Sequence, residues 1–325
     1  MTRRARRVRT IILVLVGIVV GVPIAMVLVA AAWVSMLDRP DHTLRVDGEE
    51  REYLLHVPKG YDATRPTPLV ISLHAGALWP AHEMNLTRWN RLADEQNLIV
   101  VYPAGVPQLL RIVRVWRTEP ADVAKDVRFI DALIDALTAE YNIDSMRIYA
   151  DGMSNGGGMV FALSCRLSTR LAAVGMVAAA EQLPPDWCGA TPMPLIAFHG
   201  DADPLVPYGG GPLGDPFNPI KPVYPPVRDW VAAWAKRNGC TGGADDRPIA
   251  ADVTRLEYRD CGDENVVLYT LLGGGHTWPG GEPMMRWRVG PTNTSIDATA
   301  TMWAFYRAHP GRALVAPVNA AVETE

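Results

Sequence analysis

The chain has 325 residues, of which 49% are hydrophobic and 20% charged, and its formal net charge is −4. That is enough apolar material to bury a full core, as one large α/β domain or two small ones. It leaves no footprint for nucleic acid, because basic residues cluster only in the first nine positions.

Those positions hold Arg3, Arg4, Arg6, Arg7 and Arg9, and no Asp, Glu, Lys or Arg occurs from Ile11 to Leu37. Residues 1–10 read as a cytoplasmic basic segment and 11–37 as a transmembrane signal anchor, since a bilayer core needs about 20 apolar residues. Ala30-Ala31-Ala32 leaves a cleaved signal peptide as the alternative. Both readings put everything after Asp38 outside the cytoplasm, either membrane-anchored or secreted. Residues 38–43 are expected to be a linker, 44–310 a catalytic domain and 311–325 a disordered tail.

Past the linker, "TLRVDGEEREYLLHVP" alternates on both sides of Asp47-Gly48, which predicts a β-hairpin. "PLVISLH" is an apolar run too short for a helix and predicts a strand buried on both faces. A helix over Leu86 to Gln96, a buried strand "NLIVVYP", a helix over Ala121 to Tyr141 and a strand "MRIYA" follow. After the glycine-rich "DGMSNGGGM" come a helix ("FALSCRL") and strands "LAAVGMVAA" and "PMPLIAFHG". The Gly- and Pro-rich stretch Tyr208 to Pro226 reads as a long loop or lid. A helix over Val227 to Asn238, a strand "NVVLYTLL" and a helix over Ile296 to Ala308 close the chain. Strands alternating with helices predict a mainly parallel sheet covered on both sides.

Gly152-Met153-Ser154-Asn155-Gly156 is a G-x-S-x-G sequence between a strand and a helix. In that context the serine sits on a strained turn as a nucleophile, and the following helix start directs N–H groups toward an oxyanion. Ser154 is therefore the candidate nucleophile. His199, His276 and His309 follow it. His276, in "GGGHTWPGG", fits a base on an accessible loop; His199 fits a histidine hydrogen-bonded within its turn, and His309 a solvated terminus. In the chain order Ser, acid, His, the acid is Asp203 in "HGDADPLVPY", with Asp201 as its competitor or as the cap of the turn. The oxyanion donors are expected from Asn155 and from the loop His74-Ala75-Gly76-Ala77, through Ala75 or Gly76. Trp278, Trp79 and Trp116 are candidates for a substrate pocket, though tryptophans serve packing just as well. Neither metal nor organic cofactor is expected. The four cysteines form two local pairs along the chain, Cys165 with Cys188 and Cys240 with Cys261, yet three connectivities remain open.

"GMSNGG", "HGDADPLVPYGG", "RNGC" and "GGGHTWPGG", in this order, resemble the polyhydroxybutyrate depolymerase-like esterases, which are similar to feruloyl and acetylxylan esterases of the α/β-hydrolase superfamily. The resemblance runs from about Arg51 to His309. It implies an α/β-hydrolase fold with Ser154 as nucleophile, Asp203 as acid and His276 as base, and it implies the local pairing of the cysteines. Two departures stand out: Ala75 where the family writes glycine after the histidine, and Trp116-Arg117 where it writes Trp-Asn. The expected activity is hydrolysis of polyhydroxyalkanoate-type, feruloyl or acetyl esters through an acyl-enzyme, acting on a small or polymeric ester. A peptidase or acyltransferase on the same fold, or an anchored binding module, are the alternatives.

Overall fold

Apolar runs with no polar alternation must be covered on both faces, and here they form the centre of one ten-stranded sheet. The computed structural model of the protein describes residues 3–38, 40–108, 112–180, 183, 187–189, 191–216, 221–262 and 265–311. The expected tail lies outside the described residues apart from Gly311.

The chain opens with α1 (Arg3–Leu37), which is long and apolar enough to cross a membrane over Leu15–Val34. β1 (His42–Val46) and β2 (Glu49–His56) form the hairpin around Asp47 and Gly48, both at positive φ. β3 (Thr67–Leu73), α2 (Pro80–Thr87), α3 (Trp89–Gln96) and β4 (Ile99–Pro103) follow, then a small ribbon of β5 (Val106–Gln108) and β6 (Val113–Val115). Next come α4 (Val123–Glu140), β7 (Ile143–Met153), α5 (Asn155–Arg166), β8 (Ala173–Val177) and β9 (Leu195–Gly200). A ribbon of β10 (Gly211–Pro212) and β11 (Val223–Tyr224) precedes α6 (Val227–Arg237), a hairpin of β12 (Ala244–Ala250) and β13 (Val253–Tyr258), β14 (Val266–Leu271), α7 (Arg286–Val289) and α8 (Ala298–Ala308).

The strand order is β1-β2-β4-β3-β7-β8-β9-β14-β13-β12. The central run from β4 to β14 is parallel throughout, and the hairpins at either edge are antiparallel. One face is covered by α4, α5 and α6 through Phe129, Val160 and Trp230. The other is covered by α3 and α8, where Tyr149 of the sheet stacks on Tyr306 at 4.6 Å. All the parallel strands end at the same edge, where crossover loops gather and sites form in open α/β sheets.

Two expectations need correction. The helix expected over Leu86 to Gln96 is two short helices, because Arg88 adopts φ 58° and breaks the ladder between them. The linker expected over 38–43 is partly built into the domain: Asp38 is buried and β1 already begins at His42. The hairpin of β12 and β13 gave no apolar signal, since β12 lies at the sheet edge and is mostly exposed. Within the expected loop from Tyr208 to Pro226, Gly211 and Pro212 pair with Val223 and Tyr224. Both disulfides have the local pairing, Cys165–Cys188 and Cys240–Cys261.

Candidate active site

Ser154 stands at the turn between β7 and α5 with φ 55° and ψ −119°, a backbone state that costs an L-residue on the order of 1–3 kcal/mol. Two hydrogen bonds hold it there: the Ser154 N–H donates to Val177 O at 2.9 Å, and Ser154 O accepts from Gly158 N at 2.9 Å. The flanking glycines are a steric necessity. A Cβ on Gly152 would stand 2.6 Å from the Gly156 carbonyl carbon, and one on Gly156 would stand 2.2 Å from Leu73 O. The motif thus encodes a turn wedged between two strands and its own helix, with the serine half-exposed at the edge where the parallel strands end.

Asp203 follows β9 and His276 follows β14, at that same edge. The register Met153↔Val177, Val177↔Phe198, Phe198↔Tyr269 sets the ends of β7, β8, β9 and β14 side by side. β9 lies two strands from β7 and β14 three, so Asp203 and His276 rise from points about 10 and 15 Å along the edge that carries Ser154. His276 Nδ1 lies 2.8 Å from Asp203 Oδ2. The other carboxylate oxygen, Oδ1, accepts from the N–H of Leu205 at 2.8 Å and of Val206 at 2.9 Å. Both side chains are buried. Burial alone would push the Asp203 carboxyl up, but the charge of His276 and hydrogen bonds from His199 and His276 outweigh it and hold the carboxyl well below its ordinary range.

The loop carrying His276 is built on close backbone approaches. A Cβ on Gly200 would meet Gly274 O at 2.1 Å, one on Gly275 would meet Val289 O at 2.1 Å, and the His276 N–H donates to Val289 O. His199 bonds Val206 O at 2.9 Å and stands 3.3 Å from Asp203 Oδ2, so it braces the turn that carries the acid. Asp201 caps a neighbouring turn, its Oδ1 accepting from the Gly273 N–H. His309 is far from all of this: its ring packs on Phe305 at 4.1 Å, and Gly311 beside it bonds Met146 at the opposite end of β7.

The loop after β3 is ordered by a histidine that the sequence left unassigned. The Gly105 N–H donates to His74 Nε2 at 2.9 Å, so Nδ1 carries the proton and donates to Ala75 O at 2.8 Å. Burial drives the pKa of His74 down to about 3, which keeps the ring neutral and this tautomer fixed. Ala75 O also accepts from Leu78 N, and Ala77 N donates to Arg114 O. With Ala75 O turned toward His74, the trans peptide points the Gly76 N–H the opposite way. Gly76 packs closely on Asn155, where an added Cβ would stand 3.1 Å from Asn155 Cβ.

The three candidate tryptophans separate. Trp278 is completely buried and donates its Nε1–H to Thr299 Oγ1, so it is a core residue beneath the histidine loop and offers no face to a substrate. Trp116 is also buried. Its Nε1–H donates to His74 O, while its backbone N–H and carbonyl clasp the Asn155 side chain at 2.7 and 3.2 Å. Its expected pocket role gives way to bracing the loop. Trp79 stays half-buried, edge-on to His82. Arg117, at the family's Asn position, pairs with Glu49 and Asp126, and Asp126 also pairs with Arg51. Among the residues that sequence reasoning missed are His74 and Arg114, whose partners come from distant segments and leave no local pattern.

Comparison with known proteins fits this architecture. The family described as Esterase PHB depolymerase matches residues 51–181. A protein named "Putative esterase NocK" from Nocardia uniformis subsp. tsuyamanensis is 32% identical over 282 residues, covering 79% of this chain and 79% of that protein. "Probable feruloyl esterase C" from Aspergillus terreus is 27% identical, covering 70% of this chain and 76% of its own length. The acetyl xylan esterase from Aspergillus awamori superposes with a TM-score of 0.55 at 12% identity, over 70% of this chain and 89% of that one, which is a likeness of fold.

Proposed function

Because the chain belongs to the PHB depolymerase family of esterases, with an α/β-hydrolase-like fold, and is a carboxylic-ester hydrolase, we propose that it works through Ser154, His276 and Asp203 as a catalytic triad. The observation that carries this reading is the left-handed Ser154 turn at the same sheet edge as the buried Asp203–His276 pair. His276 takes the Ser154 proton as the hydroxyl attacks the ester carbonyl, and returns it to the leaving alcohol. Asp203, fastened by two backbone N–H groups, holds the imidazole tautomer and faces the imidazolium that forms. Water then attacks the acyl-enzyme by the same route in reverse.

The tetrahedral oxyanion is held by the backbone N–H groups of Asn155 and Gly76. Asn155 begins α5, so its amide has the helix N-terminus behind it. Gly76 is favoured over Ala75 because the Ala75 carbonyl faces His74 and Leu78, which leaves the Gly76 N–H on the opposite side of that peptide. The alanine at the family's glycine position therefore leaves the hole intact. Trp79, accessible on the same loop, contacts the bound ester, which is of the feruloyl, acetyl or polyhydroxyalkanoate type.

The catalytic part acts outside the cytoplasm, and α1 anchors it in the membrane. The apolar span Leu15–Val34, the arginines before it and two disulfides support that location. The test is a panel of p-nitrophenyl acetate, a feruloyl ester and a peptide amide, with a fluorophosphonate label located by peptide mapping. Ester turnover with label on Ser154 is expected; turnover of the amide alone, or label elsewhere, refutes the reading.

A further inference from the structure

The end of α1 does not hang free of the domain. Val34 and Asp38 are buried, and Asp38 Oδ2 lies 3.0 Å from Arg114 Nε, with both side chains 4% exposed. Arg114 also holds Glu52 at 2.6 Å, and its carbonyl accepts from Ala77 on the loop after β3. The Ala81 backbone, at the start of α2, lies close to the same Asp38 carboxylate. The loops after β3 and β4 thus grip the helix at the edge where Ser154 stands. Four residues separate Leu37 from His42, a reach of at most about 17 Å, so the domain cannot swing that edge far from the helix.

A second observation lies on the same edge. From Ala81, beside Asp38, to Leu86, α2 rises about 8 Å, and the Leu86 carbonyl accepts from Glu282 N. The segment beyond Glu282 presents Met285 at 57% and Trp287 at 79% exposure, with Arg286 exposed between them, and returns through Val289 to His276. A tryptophan, a methionine and an arginine standing out together have the composition of an interfacial contact, with rings at headgroup depth and the cation at the phosphates.

From this geometry we infer that the site-bearing edge of the domain lies against the bilayer entered by α1, with Met285 and Trp287 in the lipid interface, so that esters reach Ser154 from the membrane surface. The inference rests on the esterase reading of the site and on α1 as an anchor. It narrows the substrate class to esters carried in or on lipid.

The full chain in phosphatidylcholine vesicles tests it. Lipids brominated below the headgroup should quench Trp287, read as the difference in quenchable fluorescence between the wild-type chain and Trp287→Phe. Equal quenching of the two overturns the orientation, and this readout requires no activity. The double variant Met285→Ser/Trp287→Ser should hydrolyse vesicle-borne p-nitrophenyl palmitate about tenfold more slowly than the wild type, with p-nitrophenyl acetate in water unchanged. A palmitate rate that stays in proportion to the acetate rate also overturns it. Failure of the wild type on acetate would instead sink the esterase reading, and the quenching difference would still decide the orientation.

Discussion

Asp203 presents one carboxylate oxygen to His276 Nδ1 at 2.8 Å and the other to the N–H groups of Leu205 and Val206. A carboxylate fixed at both oxygens cannot rotate, so the proposed base has a single orientation. Asp203→Asn keeps the shape but sets an amide against the ring, and kcat for p-nitrophenyl acetate should fall by about three to four orders of magnitude. The pH sign follows from the direction of the shift. An acid held below its unfolded value stabilises the fold above the unfolded range near 4, and that contribution is lost as pH falls through the folded value. Thermal melts between pH 4 and pH 2 should therefore decline more steeply in the wild type than in Asp203→Asn, which keeps His74 and the other lowered acids, Asp62, Asp94 and Glu257. Parallel decline in both proteins would contradict this.

The turn at Ser154 makes stability and activity separable. A residue held at φ 55° is strained unless it is glycine. Ser154→Gly should raise the unfolding free energy by about 1 kcal/mol. Ser154→Ala keeps the strain and should leave stability nearly unchanged. Both should lose at least about 10³-fold in ester hydrolysis, because neither has a hydroxyl to acylate. Denaturant titration alongside the ester assay checks the pair; a glycine variant less stable than the alanine one would remove strain as the reason for the motif.

Much of this was legible in the sequence, and the reason is local. The buried strands are continuous apolar runs, and the glycines around Ser154 and in "GGGHTWPGG" mark places where backbone meets backbone at distances no side chain permits. What stayed hidden depends on partners remote in the chain. His74 is fixed by Gly105, 31 residues on, and Arg114 joins Asp38, 76 residues back. Tryptophan is apolar and polar at once, so sequence could not separate Trp278, buried to completion, from Trp287, which stands exposed on the rim. The polar hairpin of β12 and β13 was invisible for a related reason: most of β12 is exposed, so no alternation of burial was written into it.

A buried acid three residues before Ser154 gives a test of electrostatics. Asp151 is fully enclosed in β7, and burial pushes its carboxyl up to about 7 although Ser72 Oγ donates to it at 2.7 Å. An acid whose folded value lies above its unfolded one contributes fully below the unfolded value near 4, and that contribution is lost as pH rises toward and through about 7. Asp151→Asn keeps an acceptor for Ser72 and abolishes the ionisation. It should be more stable than the wild type at pH 8 by roughly 1–3 kcal/mol, with the advantage gone by about pH 4. His74, lowered to about 3, works in the other direction and weakens the fold as pH drops below about 6.5. It is present in both proteins and cancels from the difference. A gain independent of pH would mean that packing, and not ionisation, is the cause.

Cys240 follows α6 by three residues, and Cys261 follows β13, so their bond ties a helix end to the polar hairpin at the sheet edge. Their sequence separation of 21 residues closes a loop worth about 3 kcal/mol against the unfolded chain. In a domain of this size that corresponds to about 5 °C in Tm. Cys240→Ser/Cys261→Ser should melt lower by that amount and yet hydrolyse p-nitrophenyl acetate at 25 °C at the wild-type rate, because β12 and β13 lie beyond β14 and supply none of the proposed catalytic groups. A drop in kcat with Tm unchanged would mean that this edge positions the His276 loop, and the division between a stabilising rim and a catalytic centre would have to be redrawn.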